Sequence, residues 1–279
     1  MVTAPSETEI KYSELLEFLQ TFKSALIAFS GGVDSTFLVA AVKESGIPYL
    51  AVTALSPTMP SQDKQDVRVS VDELSLKHSY INSCELDVDD FVKNSPERCF
   101  YCKNELFQLL TKKAEKEGYA AVFDGSTTDD LNDYRPGSRA KNEFNVISPI
   151  QEVGLSKEDI RKLSKKMGLK SWSKPASPCL SSRISYGEPI LPHSLQMVES
   201  AENTLRDMGF GVLRVRKQDE TARIELTDPD ITRLLDSDLR KKVTEELLKV
   251  GFKFVALDLE GFRSGKLNRV IPDVNIVGV

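Results

Sequence analysis

The chain has 279 residues, 40% of them hydrophobic and 28% charged, which suits one large α/β domain with a smaller companion. Its formal net charge of −5 argues against a bulk basic surface for nucleic acid, and no apolar run reaches the roughly 18 residues of a membrane helix. The polar start, Met1 to Glu9, is not a signal peptide, so the expected location is the cytoplasm. There the four cysteines point to metal, catalysis or packing rather than to a disulfide frame.

Ser13 is expected to cap a first helix whose apolar face is Leu15, Leu16, Leu19 and Phe22. Ala25 to Phe29 is a continuous apolar run of the kind a buried parallel strand shows. A glycine pair follows, and then Val33, Phe37, Leu38 and Ala41 recur at helical spacing. Strands near Tyr49 to Ala54, Tyr80-Ile81 and Ala120 to Phe123 alternate with helices carrying Val67, Val71 and Leu74, and Leu106, Leu109 and Leu110. The second of these helices is predicted from Lys103 to Glu117. This alternation predicts a doubly wound parallel sheet over 1–186. A capped helix follows from Ser156, and prolines make Lys174 to Cys179 a loop. After Gly187 the pattern changes. A helix from Ser194, two alternating strands (Gly211 to Arg216 and Thr221 to Leu226), two helices and a strand from Phe252 to Leu257 predict a small α+β domain over 187–279.

Four groups of residues carry chemistry. In Ser30-Gly31-Gly32-Val33-Asp34-Ser35, glycines after a strand present bare N–H groups at a helix N-terminus, where negative charge is favoured. Ser30 and Ser35 add hydroxyls, and Asp34 can help hold Mg²⁺ at phosphates. The Gly-Lys-Ser/Thr ending of a γ-phosphate-transferring loop is absent. Cys99 and Cys102 form a CxxC, with Cys179 far along; they are either metal ligands or small packing residues at a helix start. Asp124-Gly125 with Asp129-Asp130 ends a strand, where carboxylates either orient Mg²⁺ or a ribose or make a solvated turn. A basic loop, Tyr134 to Arg139, follows and can meet a phosphate or a carboxylate. Strand alternation places Arg214, Arg216, Arg223 and Glu225 on one face, either an anion fork or an ordinary solvated surface.

The glycine loop resembles the PP-loop of ATP pyrophosphatases. Together with Asp133-Tyr134-Arg135-Pro136-Gly137, Ser148-Pro149-Ile150, Lys174-Pro175, Cys179-Leu180-Ser181-Ser182-Arg183-Ile184, Arg214-Val215-Arg216, Ala222-Arg223-Ile224-Glu225 and Gly261-Phe262-Arg263-Ser264-Gly265, it makes nearly the whole chain similar to the LarE family. The resemblance implies adenylation by ATP of a carboxylate of pyridinium-3,5-biscarboxylic acid mononucleotide, with sulfur then displacing AMP. It implies Ser30, Gly31, Gly32, Asp34, Ser35 and Gly125 at ATP, and Asp34 also at Mg²⁺. Arg183, Arg214, Arg216 and Arg223 would hold the substrate's phosphate or carboxylate, and Glu225 would help position the sulfur step. Cys99, Cys102 and Cys179 look like the three-cysteine type, whose 4Fe-4S cluster passes on sulfide. In the other type the cysteine matching Cys179 gives up its own sulfur. The family also suggests a homo-oligomer acting on a small nucleotide, with sulfide or another sulfur donor. A tRNA thiolase is the nearest rival, against which the acidic balance counts. An ammonia-using synthetase shares the loop but has no need of the three cysteines.

Overall fold

A computed structural model of the protein describes residues 5–131, 136–263 and 265–271. In chain order the elements are α1 (Glu7–Gln20), β1 (Ala25–Ala28), α2 (Val33–Ser45), β2 (Tyr49–Leu55), α3 (Ser61–Leu74), β3 (His78–Asn82), α4 (Asp89–Val92), α5 (Arg98–Glu117) and β4 (Ala121–Phe123). Then come α6 (Gly137–Glu143), α7 (Pro149–Glu152), α8 (Lys157–Lys166), α9 (Pro192–Asp207), β5 (Leu213–Gln218), β6 (Thr221–Leu226), α10 (Asp228–Arg233), α11 (Ser237–Val250) and β7 (Phe254–Leu257). Among the described residues no helix is long and apolar enough to cross a membrane. The chain forms two compact units, Met1–Glu85 with Cys99–Ser177, and Leu86–Arg98 with Pro178–Val279.

The first unit holds a four-stranded parallel sheet in the order β3-β2-β1-β4. β1 alternates: Ala25 and Ile27 join a core with Leu15, Leu19, Phe37, Val67 and Ile160, while Leu26 joins another with Leu50, Val52, Phe107 and Leu110. Helices thus cover both sheet faces, which is why the strand reads as an unbroken apolar run. From β1 the chain builds outward through β2 and β3, then returns to place β4 on the other side of β1. That reversal makes the C-terminal ends of β1 and β4 a topological switch point, the position where open α/β sheets bind ligands.

Two helix starts differ from the sequence reading. α1 begins at Glu7 because Ser6 and Glu9 form a reciprocal capping box: Ser6 Oγ accepts from the Glu9 amide at 3.3 Å, and the Ser6 amide donates to Glu9 at 2.9 Å. Ser13 lies inside that helix and donates to the Glu9 carbonyl. α5 begins at Arg98, so the CxxC lies within its first turns rather than ahead of it.

In the second unit, β5 and β6 pair antiparallel and β7 adds parallel to β6. Leu213, Val215, Ala222, Ile224 and Leu226 are buried, and α9 packs on β5 while α11 packs on α9 and β7. Asn94 ties 86–98 into this unit: its amide donates to the carbonyls of Ser185 at 2.7 Å and Glu188 at 2.9 Å. The unit therefore includes 86–98 and 178–186 beside 187–279.

Candidate active site

The glycine loop leaves β1 and enters α2 with Gly32 as N-cap. Gly31 has φ of +70°, and a Cβ there would lie 2.9 Å from Val67 Cγ2, so both backbone and packing demand glycine. Ser35 closes the loop on itself: its Oγ receives the Ser30 amide at 3.2 Å and lies 3.1 Å from Ser30 Oγ. Asp34 sits in the first turn of α2. Gly125, after β4, meets this loop backbone to backbone; an added Cβ would come 3.1 Å from the Ser35 amide nitrogen. Ser30, Gly31, Gly32, Asp34, Ser35 and Gly125 are therefore brought together across the switch point, at the N-terminal end of α2.

The acidic residues after β4 divide. Asp124 is buried and accepts from Ser148 Oγ at 2.6 Å and Ser126 Oγ at 2.7 Å, which fastens the Ser148-Pro149-Ile150 segment beneath Gly125's loop. Asp129 is exposed and Asp130 buried, and both make local bonds. Asp129 accepts the Lys157 amide at 2.8 Å, and Asp130 accepts the Thr127 amide at 2.9 Å and pairs with Lys157 Nζ at 2.9 Å. Both carboxylates anchor the start of α8.

Cys99 and Cys102 are three residues apart on α5, which places them on one helix face. Cys99 is exposed and Cys102 half-buried, and neither is in a disulfide. They are not packed core residues. Gly137, at the start of α6, presses on this turn, since an added Cβ would lie 3.1 Å from the Cys99 carbonyl oxygen. Arg139 stacks over Phe100 at 4.9 Å. Of the basic loop, Tyr134 and Arg135 lie outside the described residues, as do Asp133 and Ser264.

In the second unit Cys179 caps a short 3₁₀ turn, Leu180–Arg183, with its free thiol half-buried. Arg183 Nη1 donates to the Cys179 carbonyl at 3.0 Å and also reaches the Pro178 carbonyl and Ser182 Oγ. Its Nε and Nη2 grip Glu202 Oε1 and Oε2 at 2.9 and 3.0 Å, with both side chains almost fully buried. Glu202 also accepts from Arg206 at 2.9 Å and from the Val215 amide at 3.2 Å. Beside it, Arg216 grips Glu225 through Nε at 3.1 Å and Nη2 at 2.9 Å, and donates from Nη1 to the Ser182 carbonyl at 2.6 Å. Arg223 reaches Glu225 at 3.4 Å. Glu225 is fully buried, so this strand face is not the solvated surface that was the alternative.

Five guanidiniums, those of Arg183, Arg206, Arg214, Arg216 and Arg223, thus meet two glutamates, Glu202 and Glu225. Burial, then the positive charge of Arg183, bring Arg214 down to about 10. Burial works upward on the Glu202 carboxyl, but the charge and hydrogen bonds of Arg183 outweigh it and hold the group below its usual range. A desolvated site with surplus positive charge favours an anion. Phe262 lies under Arg214 at 5.2 Å and is placed by its N–H, which donates to the Leu226 carbonyl at 2.8 Å.

No family model matches the chain. It is similar over 95% of its length, at 34% identity, to the pyridinium-3,5-bisthiocarboxylic acid mononucleotide synthase of Lactiplantibacillus plantarum, covering 96% of that protein. The chain belongs to the LarE family. It is also 40% identical to the uncharacterized protein slr1717 of Synechocystis sp., over 94% of this chain and 98% of the relative. The uncharacterized protein MJ0830 of Methanocaldococcus jannaschii is 32% identical over 87% of this chain and 92% of its own length.

For this LarE member the sequence reading missed three side chains that hold site residues. Glu202 is a helical residue 19 positions from the arginine it clasps, and nothing in α9's pattern marks it. Asp63 and Asp66 lie on α3 and grip Lys174 from the proline loop. Only the quoted Lys174-Pro175 pair hinted at the second group. Within neither unit do three or more His, Cys, Asp or Glu side chains gather to metal-binding distance among the described residues.

Proposed function

We propose that the protein is an ATP-dependent sulfurtransferase acting on pyridinium-3,5-biscarboxylic acid mononucleotide. A substrate carboxylate oxygen attacks the α-phosphorus of ATP, pyrophosphate leaves, and an acyl-adenylate forms. Sulfide then attacks the acyl carbon, and AMP departs with the electrons of the C–O bond, leaving a thiocarboxylate. The observation that carries this reading is the seating of Gly125 against Ser35 at the switch point. It sets the glycine loop and the N-terminal end of a 13-residue helix where pyrophosphate would bind. Asp34 would hold Mg²⁺ there, and Ser30, Gly31, Gly32 and Ser35 the phosphates. The family relative at 34% identity supplies the substrate class.

The arginine face suits the substrate's own anions. Arg214, Arg216 and Arg223 would bind its phosphate or carboxylate, and Glu225 would hold the forks apart and in register. Arg183 would act there through the Cys179 turn, whose carbonyls it holds. Cys99 and Cys102, on one helix face, and Cys179, at a turn, would hold a 4Fe-4S cluster, as the likeness to the three-cysteine type implies, and none of the three is in a disulfide. Held by three cysteines, such a cluster offers one open iron to sulfide.

Anaerobic reconstitution tests the sulfur step. About four iron and four sulfide per chain are expected, with failure in Cys99→Ala. Cys179→Ala should still release pyrophosphate and make no thiocarboxylate, whereas Asp34→Ala should release none. Protein that takes up no iron yet makes one thiocarboxylate per chain, with Cys179 found as dehydroalanine by mass spectrometry, would replace the cluster with sacrifice of that cysteine.

A further inference from the structure

Helix α3 meets the nucleotide loop twice. Val67 packs on Gly31, and Asp63 on the same helix lies three positions from Asp66 and four from Val67. These two carboxylates hold Lys174. Its ammonium lies 3.1 Å from Asp63 Oδ1 and 2.6 Å from Asp66 Oδ2, and 3.5 Å from the Gly31 carbonyl oxygen. Three acceptors match its three N–H groups. The second oxygen of Asp63 accepts from Ser177 Oγ at 2.7 Å. One buried carboxylate therefore fastens both ends of Lys174-Pro175-Ala176-Ser177, and Cys179 follows two residues later. Pro175 and Pro178 fix their φ angles, so the segment has few ways to absorb a change at Ser177 without passing it on.

We propose that Asp63 is a positioning residue that couples nucleotide binding at the Gly31 loop to the order of the segment carrying Cys179. The inference rests on the ATP site proposed above. A triphosphate at the loop attracts the Lys174 ammonium, which stands against the loop only while Asp63 and Asp66 hold it. A ligand that prefers the fastened arrangement stabilises it by that preference, and the fastening raises ATP affinity by the same factor. Adenylation and sulfur transfer would thereby be kept in sequence.

Hydrogen exchange read by mass spectrometry on the full chain tests this, with MgATP as the probe and no acceptor substrate present. In the parent, MgATP should slow exchange at least about five-fold both in the loop peptide and in the peptide spanning 173–183. In Ser177→Ala the loop peptide should stay protected while slowing at 173–183 falls below about two-fold, and Ser177→Thr should restore it. Asp63→Asn should lose the same slowing and also bind MgATP more weakly. Lys170→Ala, at an exposed pair with Glu73, should change neither peptide. Full slowing at 173–183 in both Ser177→Ala and Asp63→Asn overturns the coupling. So does a parent that binds MgATP without slowing at 173–183. A parent that binds no MgATP in equilibrium dialysis overturns the nucleotide site itself, and the coupling falls with it.

Discussion

The glycine loop and the arginine face, the two regions proposed to receive anions, are built by opposite means. The loop, Ser30 to Ser35, uses backbone N–H groups and a helix end, with Gly31 held in a left-handed conformation against Val67. The second region uses whole charges: buried guanidiniums of Arg183 and Arg216, each clasped by a buried glutamate. A loop of amides carries no net charge to desolvate, so its cost is conformational and falls on a few glycines. A buried ion pair contributes little net stability while both partners stay, and removing one leaves an unpaired buried charge at high cost. The two regions should therefore fail differently when altered.

The largest effect is expected in the arginine region. Glu202→Ala strands the Arg183 guanidinium, and a loss of about 3–5 kcal/mol in unfolding free energy is expected. Chemical denaturation measures it, and the paired change Glu202→Met with Arg183→Met should recover most of it. A single-variant loss near zero would mean that Arg183 finds water, and that the pair is not what orders the Cys179 turn.

Gly31→Ala should come next, and it should injure binding more than folding. A side chain at φ of +70°, meeting Val67 at 2.9 Å, adds about 2–3 kcal/mol of strain. ATP affinity measured by calorimetry should drop by about 50- to 100-fold. Adding Val67→Ala should return only part of this, because Val67 backbone atoms also stand 3.2 Å from the new Cβ.

Acid separates the regions without mutation. Glu202 is held below its ordinary range in the folded protein. Its contribution is thus fully present above the unfolded carboxyl value of about 4.3 and is lost as pH falls through the lower folded value. Stability measured between pH 6 and pH 3 should decline below about pH 4, and less steeply in the Glu202→Met, Arg183→Met pair. Equal slopes would take Glu202 out of the acid response.

The smallest effect concerns Phe262. Replacing it with Leu removes the ring under Arg214 but keeps the apolar volume, and a loss of about 0.5–1 kcal/mol in affinity for inorganic phosphate is expected. Titration with phosphate reads this as a two- to five-fold change. Arg214→Met should abolish any rise in melting temperature that phosphate causes in the parent, since the guanidinium depressed by burial and then by Arg183 is the one an anion relieves.

Much of the loop was legible because its causes are local. An apolar run, two glycines and a helical repeat lie within 17 residues of one another, and β1, the loop and α2 follow from them. The hairpin was legible for the same reason: alternation named Arg214, Arg216, Arg223 and Glu225 as one face. Whether that face was solvated was not legible, because burial depends on what covers it. Ser6 was passed over for Ser13 because both can cap, and only the reach of Glu9 back to the Ser6 amide decides between them. Asp129 and Asp130 suit either a ligand or a solvated turn in the sequence, and their bonds to Lys157 depend on where α8 begins.

What the sequence by itself determined is the set of elements and the chemical groups on them: parallel strands, a phosphate-suited glycine loop, three cysteines and an arginine-rich hairpin. Periodicity, glycine conformation and strand alternation are short-range properties, and a linear reading captures them. What only the tertiary structure decided is which groups pair. Glu202 with Arg183, Asp63 with Lys174 and Ser177, and Gly125 with Ser35 join residues 19, more than 100 and 90 positions apart. Such contacts arise from the crossing of helices and the reversal of strand order at β1, and a hydrogen bond or a missing Cβ leaves no period in the chain to announce it.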